Sequence, residues 1–570
     1  MAVPTQVIII GTGWAGIAAA KTYLQINPSI SLTLLTNEST VGGVWSKDRL
    51  YPNLIANSPN GLYEFSDLSM VDADNPEYEL ITGERVQEYL HTYAVKYDLL
   101  SRIKFNTKVT KAVRRVDVPG WTLTLESGET LNCDKLILSS GLYSKPKWPS
   151  IPQEPSFKGT VIHSRTLGAQ HKSIIASGAR DIIIVGGCKS AVEACTLFLE
   201  SSPSITVHWV IRPTAQGVPI LLADPEMKPN FVAIAQTRLF GVLGPSIFNT
   251  SGFWYRFLHR RRNWLGRKIF DGFWSLMSKI VKAGPQYTKS ENGRKIEPKG
   301  DSLFWDSAYI SLLYKDSRFL KTVHEGQRIK VYRDTPTRLS NNHMSLASGT
   351  SIRADAVVYC TGWTSSTDFF SPEDATQLGI PVPIADNDDA HWTKLMADAN
   401  FSVRESLPFL ANEARPASET PAHTQFRMYR QVLSPQLLAQ GDRSIAFAGF
   451  ISTGQTAVAN ELLSLWAVAW LEGLLPCKLP SEEDMEREVA RVNCWMARRY
   501  GAPGARDPAI VLEVQGFFDV LMQDFGLEVK RKRGWLKGLR EWVVPYTSGD
   551  YKGVVDEFLE RIGKGSEKGD

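Results

Sequence analysis

At 570 residues the chain is long enough for a large core and at least two domains. It is 43% hydrophobic and 22% charged, and its formal net charge of +4 gives nucleic-acid binding no support. The six cysteines (133, 188, 195, 360, 477 and 494) form no C-x-x-C pair and no Cys/His cluster at metal-ligand spacing. That argues against a disulfide framework or a bound metal and for a reducing, cytoplasmic setting.

The chain enters a strand almost at once, which leaves no room for a signal peptide. Uncharged runs such as 239–255 are broken by Gly241, Gly244, Pro245 and Gly252, so no membrane-spanning helix is expected.

Gln6–Ile10 is a short apolar run rich in β-branched residues, the pattern of a parallel strand buried on both faces. It stops at Gly11-Thr-Gly13-Trp14-Ala15-Gly16, and a helix-like stretch, Ile17–Leu24, follows. Gly11 makes the tight turn, Gly13 admits a pyrophosphate to the backbone, and Gly16 lets the helix pack on the strand. The N–H groups at Trp14 and Ala15 and the positive helix end then face the phosphates. After a second strand, Ser31–Leu35, the candidate acid for an adenine ribose is Glu38, two positions beyond Thr36.

Next come Gly42-Gly43-Val44-Trp45, the loop Arg49-Leu-Tyr-Pro-Asn-Leu-Ile-Ala-Asn57, and Phe65-Ser-Asp67. With these residues the chain resembles the flavin-containing monooxygenases and their Baeyer–Villiger relatives, which are FAD- and NADPH-dependent. The resemblance implies that Gly43, Val44 and Trp45 lie along the flavin and that Asn57 contacts the isoalloxazine edge near N5. Asp67 matches the family's F-P-D turn, while the family's ribose acid falls on Thr36. Arg85–Ala94 has helical spacing and Ile103–Val109 reads as a strand. In the family, Val109 meets the adenine through its backbone. Leu136–Gly141 resembles the A-T-G hinge, with Ser-Ser for Ala-Thr.

Phe157-Lys-Gly159-Thr-Val-Ile-His163-Ser-Arg165 matches the family fingerprint F-x-G-x-x-x-H, with Leu167 where an aromatic is usual. The resemblance gives His163 and Arg165 the task of aligning a nicotinamide. A second buried strand, Asp181–Val185, runs into Gly186-Gly187-Cys188-Lys189-Ser190-Ala191. Cys188 takes the middle glycine position, where its β-carbon is expected to crowd a pyrophosphate. Gly186, Lys189, Ser190, Ala191 and the helix N–H groups are left to hold the phosphates. Arg212 ends the next strand, Thr206–Arg212, where a guanidinium can grip a 2′-phosphate; this favours NADPH over NADH.

From Met227 to Phe270 there is no acidic residue but eight Lys or Arg (228, 238, 256, 260, 261, 262, 267 and 268), interleaved with Trp254, Phe257, Trp264 and Phe270. A peripheral membrane or substrate-entry surface competes with an insert whose rings pack on the domain beneath a solvated basic face. The irregular apolar spacing favours the packed insert. Ala356–Trp363 reads as a strand with a second hinge. Ser444–Phe450 leads through Gln455 into an apolar helix, 457–471, whose N-terminus is aimed at the flavin pyrimidine. The remainder, including Lys530–Arg533, reads as helical cover and a solvated charge run.

The expected fold is α/β with two dinucleotide-binding, Rossmann-like domains, the second inserted in the first, and a helical C-terminal cover. The boundaries are 1–160 for the first part of the FAD domain and 161–355 for the NADPH domain, with the insert at about 225–300. Residues 356–570 return to the FAD domain. The expected activity is that of a monooxygenase of secondary metabolism. NADPH reduces FAD, O2 adds at flavin C4a, and the (hydro)peroxide oxygenates a small organic substrate. A flavin oxidase or dehydrogenase, or a non-catalytic FAD-binding protein, is the alternative. A disulfide reductase would need a close cysteine pair beside the flavin.

Overall fold

The computed structural model describes residues 4–213, 218–223, 228–260, 263–300, 302–314, 317–384, 389–411 and 423–563. Met227, Arg261 and Arg262 of the basic stretch lie outside the described residues. Two five-stranded parallel sheets form where the β-branched runs stand. In the first the order is Ile445–Phe447, Lys135–Leu138, Gln6–Ile10, Ser31–Leu35, Ile103–Lys104. In the second it is Ile329–Arg333, Thr206–Ile211, Asp181–Val185, Ala356–Tyr359, Thr160–His163. Both central strands bury four consecutive residues, Val7–Ile10 and Ile182–Val185. A strand packed on both faces needs such an unbroken apolar run.

Each unit adds a three-stranded antiparallel meander, 109–133 in the first and 336–353 in the second. The two units therefore repeat one plan. The segment expected to run as one strand from Ile103 to Val109 is divided between sheet and meander. Asn106, at a φ of 50°, turns the chain between them, so Ile103 and Lys104 join the parallel sheet and Val109 opens the meander.

Strand Ala356–Tyr359 lies inside the second sheet, so the chain returns to the first unit after Tyr359 rather than at 356. The two linkers between units pair with each other, Trp363 opposite Pro146 and Thr364 opposite Lys145.

The basic aromatic insert packs on the first unit and the C-terminal helices. Phe240, Phe270, Trp274 and Phe304 share one core with Trp495 and Phe517. Arg238 is bidentate to Asp519, at 2.6 and 2.9 Å, and Trp495 donates its indole N–H to the Pro245 carbonyl at 2.7 Å. The Lys530–Arg533 run is not a wholly solvated one. Arg531 and Lys532 are buried, 2.6 Å from Glu557 and Asp550 respectively, because buried cations need partners. Among the described residues, no helix is long and apolar enough to cross a membrane, and no three metal-ligating side chains come together.

Candidate active site

The first glycine loop turns as its spacing requires. Gly11 has a φ of 113°, and a Cβ there would meet the Ser139 carbonyl at 2.3 Å. A Cβ on Gly16 would strike the Gly11 carbonyl at 1.9 Å, so the helix Trp14–Ile26 can start against the strand only because both are glycine. Gly13 is different: a Cβ there would sit 3.7 Å from Gly43 Cα and meet nothing closer. Gly13 and Gly43 thus lie backbone against backbone, a Cβ on Gly43 being 3.1 Å from Gly13 Cα, and both leave bare main chain beside the start of the helix. The buried hydroxyls of Thr12 and Ser139 have no hydrogen-bond partner. Bare backbone, first-turn N–H groups and free hydroxyls form a donor set that fits a pyrophosphate.

The Trp14 ring turns into the core, edge-on to Tyr63 and Phe65 at 4.8 and 4.9 Å. Trp45 is buried and donates its indole N–H to the Tyr63 hydroxyl at 3.0 Å, while the adjacent Val44 is 45% exposed. From the other side the loop before helix Thr456–Leu471 closes in, and a Cβ on Gly449 would lie 2.5 Å from Ala15 Cβ. The starts of the two helices therefore converge on one place. Gln455 points away from it, donating its side-chain amide to Gln236 Oε1 at 3.2 Å and the Tyr546 carbonyl at 3.0 Å. Val109 opens the meander opposite Leu125.

Asn57 is engaged at both ends of its amide. It donates to the Ile310 carbonyl at 2.9 Å and accepts from the Leu312 N–H at 3.3 Å, so it pins the strand Ile310–Leu313, which follows the insert, against the first unit. Glu38 has also found partners. Its Oε1 accepts from Arg49 at 2.6 Å and Arg165 at 2.9 Å, and its Oε2 accepts from Ser46 at 3.1 Å. This buried acid is held by Arg49 and by Arg165 of the second unit rather than standing free for a ribose, and the Thr36 hydroxyl accepts from the Glu38 N–H at 3.3 Å.

His163 lies between Trp148 and Trp363, with ring centroids 5.6 and 5.0 Å away. Its Nδ1 accepts from the Arg165 N–H at 3.1 Å. Burial pushes its pKa down to about 4 against the Gly362 carbonyl, and the Arg165 charge lowers it further. The ring is neutral at physiological pH. Leu167, in place of an aromatic, is fully buried.

In the second unit Gly186 repeats the Gly11 geometry, with a φ of 132° and a Cβ that would meet the Cys360 carbonyl at 2.1 Å. The Cys188 thiol turns back and donates to that same carbonyl at 3.2 Å, so its sulfur lies against the strand end. Ala191 is buried, and Ser190 stands in the first turn of helix Lys189–Ser201. Lys189 reaches the first unit instead of the loop, donating to the Ile55 carbonyl at 2.8 Å and pairing with Glu193. Arg212 follows the strand Thr206–Ile211 directly and is exposed.

Sequence reasoning missed the arginine pair on Glu38, the Lys189–Ile55 contact and Glu461. Glu461 sits inside the apolar helix 456–471 and accepts from the Ser66 N–H and hydroxyl, at 3.0 and 2.9 Å. Burial, helped by the charge of Asp67, pushes its pKa up to about 8. A lone glutamate in an otherwise apolar helix was the available signal.

A pyridine nucleotide-disulphide oxidoreductase family model matches residues 8–226; all six cysteines are free thiols. An FAD-dependent monooxygenase of Aspergillus nomiae is 34% identical, over 98% of this chain and 98% of its own length. Another from Alternaria brassicicola is 34% identical, over 97% and 95%. Among solved structures, the NADP+-bound cyclohexanone monooxygenase of Rhodococcus sp. Phi1 has a TM-score of 0.56 at 16% identity. The match covers 91% of this chain and 97% of that one and shows a common fold.

Proposed function

Because the chain belongs to the FAD-dependent monooxygenases, we propose that it takes hydride from NADPH on its second unit and oxygenates a small organic molecule with O2 between the two units. Bound FAD supplies the chemistry that a side chain cannot, accepting hydride and activating O2. The bare main chain at Gly13 and Gly43 would let the FAD pyrophosphate approach, with Trp14 and Ala15 N–H groups as donors. The N-terminus of helix Thr456–Leu471 would stabilise negative charge on the reduced ring.

Arg212, at its strand end, would bind the 2′-phosphate, and Ser190 with the helix N–H groups the pyrophosphate of NADPH. Arg165 would orient the nicotinamide. Its guanidinium is held by Glu38, and the neutral His163 beside it adds no competing charge. Asn57, by fixing the strand Ile310–Leu313, would close the flavin edge to water.

The observation that carries this reading is the repetition of one nucleotide-binding plan. Gly11 over Ser139 and Gly186 over Cys360 are the same turn in two parallel sheets. A plain oxidase has no use for the second. The test is turnover of the FAD-loaded protein with NADPH under isotopically labelled O2, with a panel of simple ketones and thioethers as probes. One labelled oxygen in an oxygenated product is expected. Label appearing only in hydrogen peroxide across the panel would make the protein an oxidase.

A further inference from the structure

The helix Trp264–Ala283 carries two apolar stripes. One is buried: Gly266, Phe270, Trp274 and Val281. The other consists of Leu265, Ile269, Leu276 and Ile280, which are 45%, 45%, 56% and 57% exposed. At about 100° per residue these four project within about 60° of one another. Lys268 and Lys279, both exposed, border the stripe on the side away from the core. Trp264 stands at its start, 69% exposed, with the Lys268 ammonium 5.3 Å from its ring centroid. The preceding helix, Gly252–Leu258, adds Phe253 and Trp254, 63% and 44% exposed.

Exposed apolar side chains gathered on one helix face mark an interaction surface. On these two helices and the turn between them, among the described residues, Arg256, Arg260, Arg267, Lys268 and Lys279 are exposed against one exposed acid, Asp271. A second copy of the chain would set one basic face against another, so charge selects an anionic partner. Apolar side chains along one helix face, lysines beside them and tryptophan at the boundary suit the headgroup layer of a bilayer. We propose that this face of the insert docks the protein on an anionic membrane surface, with the Leu265–Ile280 stripe at the acyl boundary and Lys268 and Lys279 on headgroup phosphates. The same insert reaches the cofactor-facing loop through Gln236 and Gln455. The docked face and the candidate active site therefore belong to one packed body.

The test is co-sedimentation of the FAD-loaded full chain with vesicles of phosphatidylcholine alone and of phosphatidylcholine with phosphatidylserine. The variants are I269Q/I280Q and K268A/K279A. All four side chains are exposed, so FAD content and melting temperature should match the parent, and both are checked first. The parent should bind the mixed vesicles, and added salt should weaken binding. Each lysine removed should weaken it about fivefold, and the glutamine pair, which keeps every charge, about tenfold or more. The proposal is overturned if the parent stays in solution with the mixed vesicles or if I269Q/I280Q binds as the parent does. It is equally overturned if the parent forms a lipid-free dimer that I269Q/I280Q disperses.

Discussion

Glu38 Oε1 accepts from Arg165 Nη2 at 2.9 Å across the boundary between the first nucleotide unit and the second. The same oxygen holds Arg49 at 2.6 Å, and the Arg49 guanidinium lies 5.7 Å from the Trp363 ring centroid on the returning linker. One buried acid thus ties the first unit to the second through Arg165 and, through Arg49, to the returning linker.

Glu38→Gln should destabilise the protein by about 3 kcal/mol, because removing one partner leaves buried charge uncompensated. Thermal unfolding measures this. The variant's KM for NADPH should rise while purified FAD content stays near the parent's. Loss of FAD as the main effect would instead return Glu38 to the ribose.

Gly13→Ala and Gly11→Ala should fail in different ways. The Gly13 methyl meets only ordinary contacts, at 3.7 and 3.8 Å, yet it covers main chain that a pyrophosphate would approach. That variant should keep its circular dichroism and melting behaviour while losing FAD. The Gly11 methyl would collide with the Ser139 carbonyl and should reduce soluble, folded protein.

The folded-state pKa of His163 lies below its ordinary 6.5, at about 4, so the unfolded chain binds the proton more readily. Its contribution to stability is complete above pH 6.5 and is lost as pH falls toward about 4. Over that span it amounts to about 3 kcal/mol at most. In His163→Gln the fall in melting temperature across this window should be smaller than in the parent.

Arg212→Ala should raise the KM for NADPH about tenfold to a hundredfold, the range for losing a hydrogen bond to a charged group. The KM for NADH should not move. Parallel steady-state measurements with both coenzymes decide this.

Much of this was legible in the chain. Gln6–Ile10 and Asp181–Val185 announce themselves because a doubly covered strand must be apolar at every position, and the glycines follow because only they fit the turns. Relationships between distant residues were not legible. Neither Glu38 nor Arg165 carries a local sign of the other, since an ion pair 127 residues apart in sequence leaves no periodicity. The irregular apolar spacing of the insert likewise reflected rings shared between a buried and an exposed face. The position of Cys188 warned of crowding, but a side chain's direction depends on an acceptor, here the Cys360 carbonyl.

Two nucleotide units of one plan should pass hydride from NADPH to FAD. Anaerobic rapid mixing of the FAD-loaded protein with NADPH or NADH, followed by the yellow flavin absorbance, measures that transfer. Rapid bleaching by NADPH, much slower bleaching by NADH, and loss of that preference in Arg212→Ala are expected. Flavin that stays oxidised in excess NADPH would contradict it.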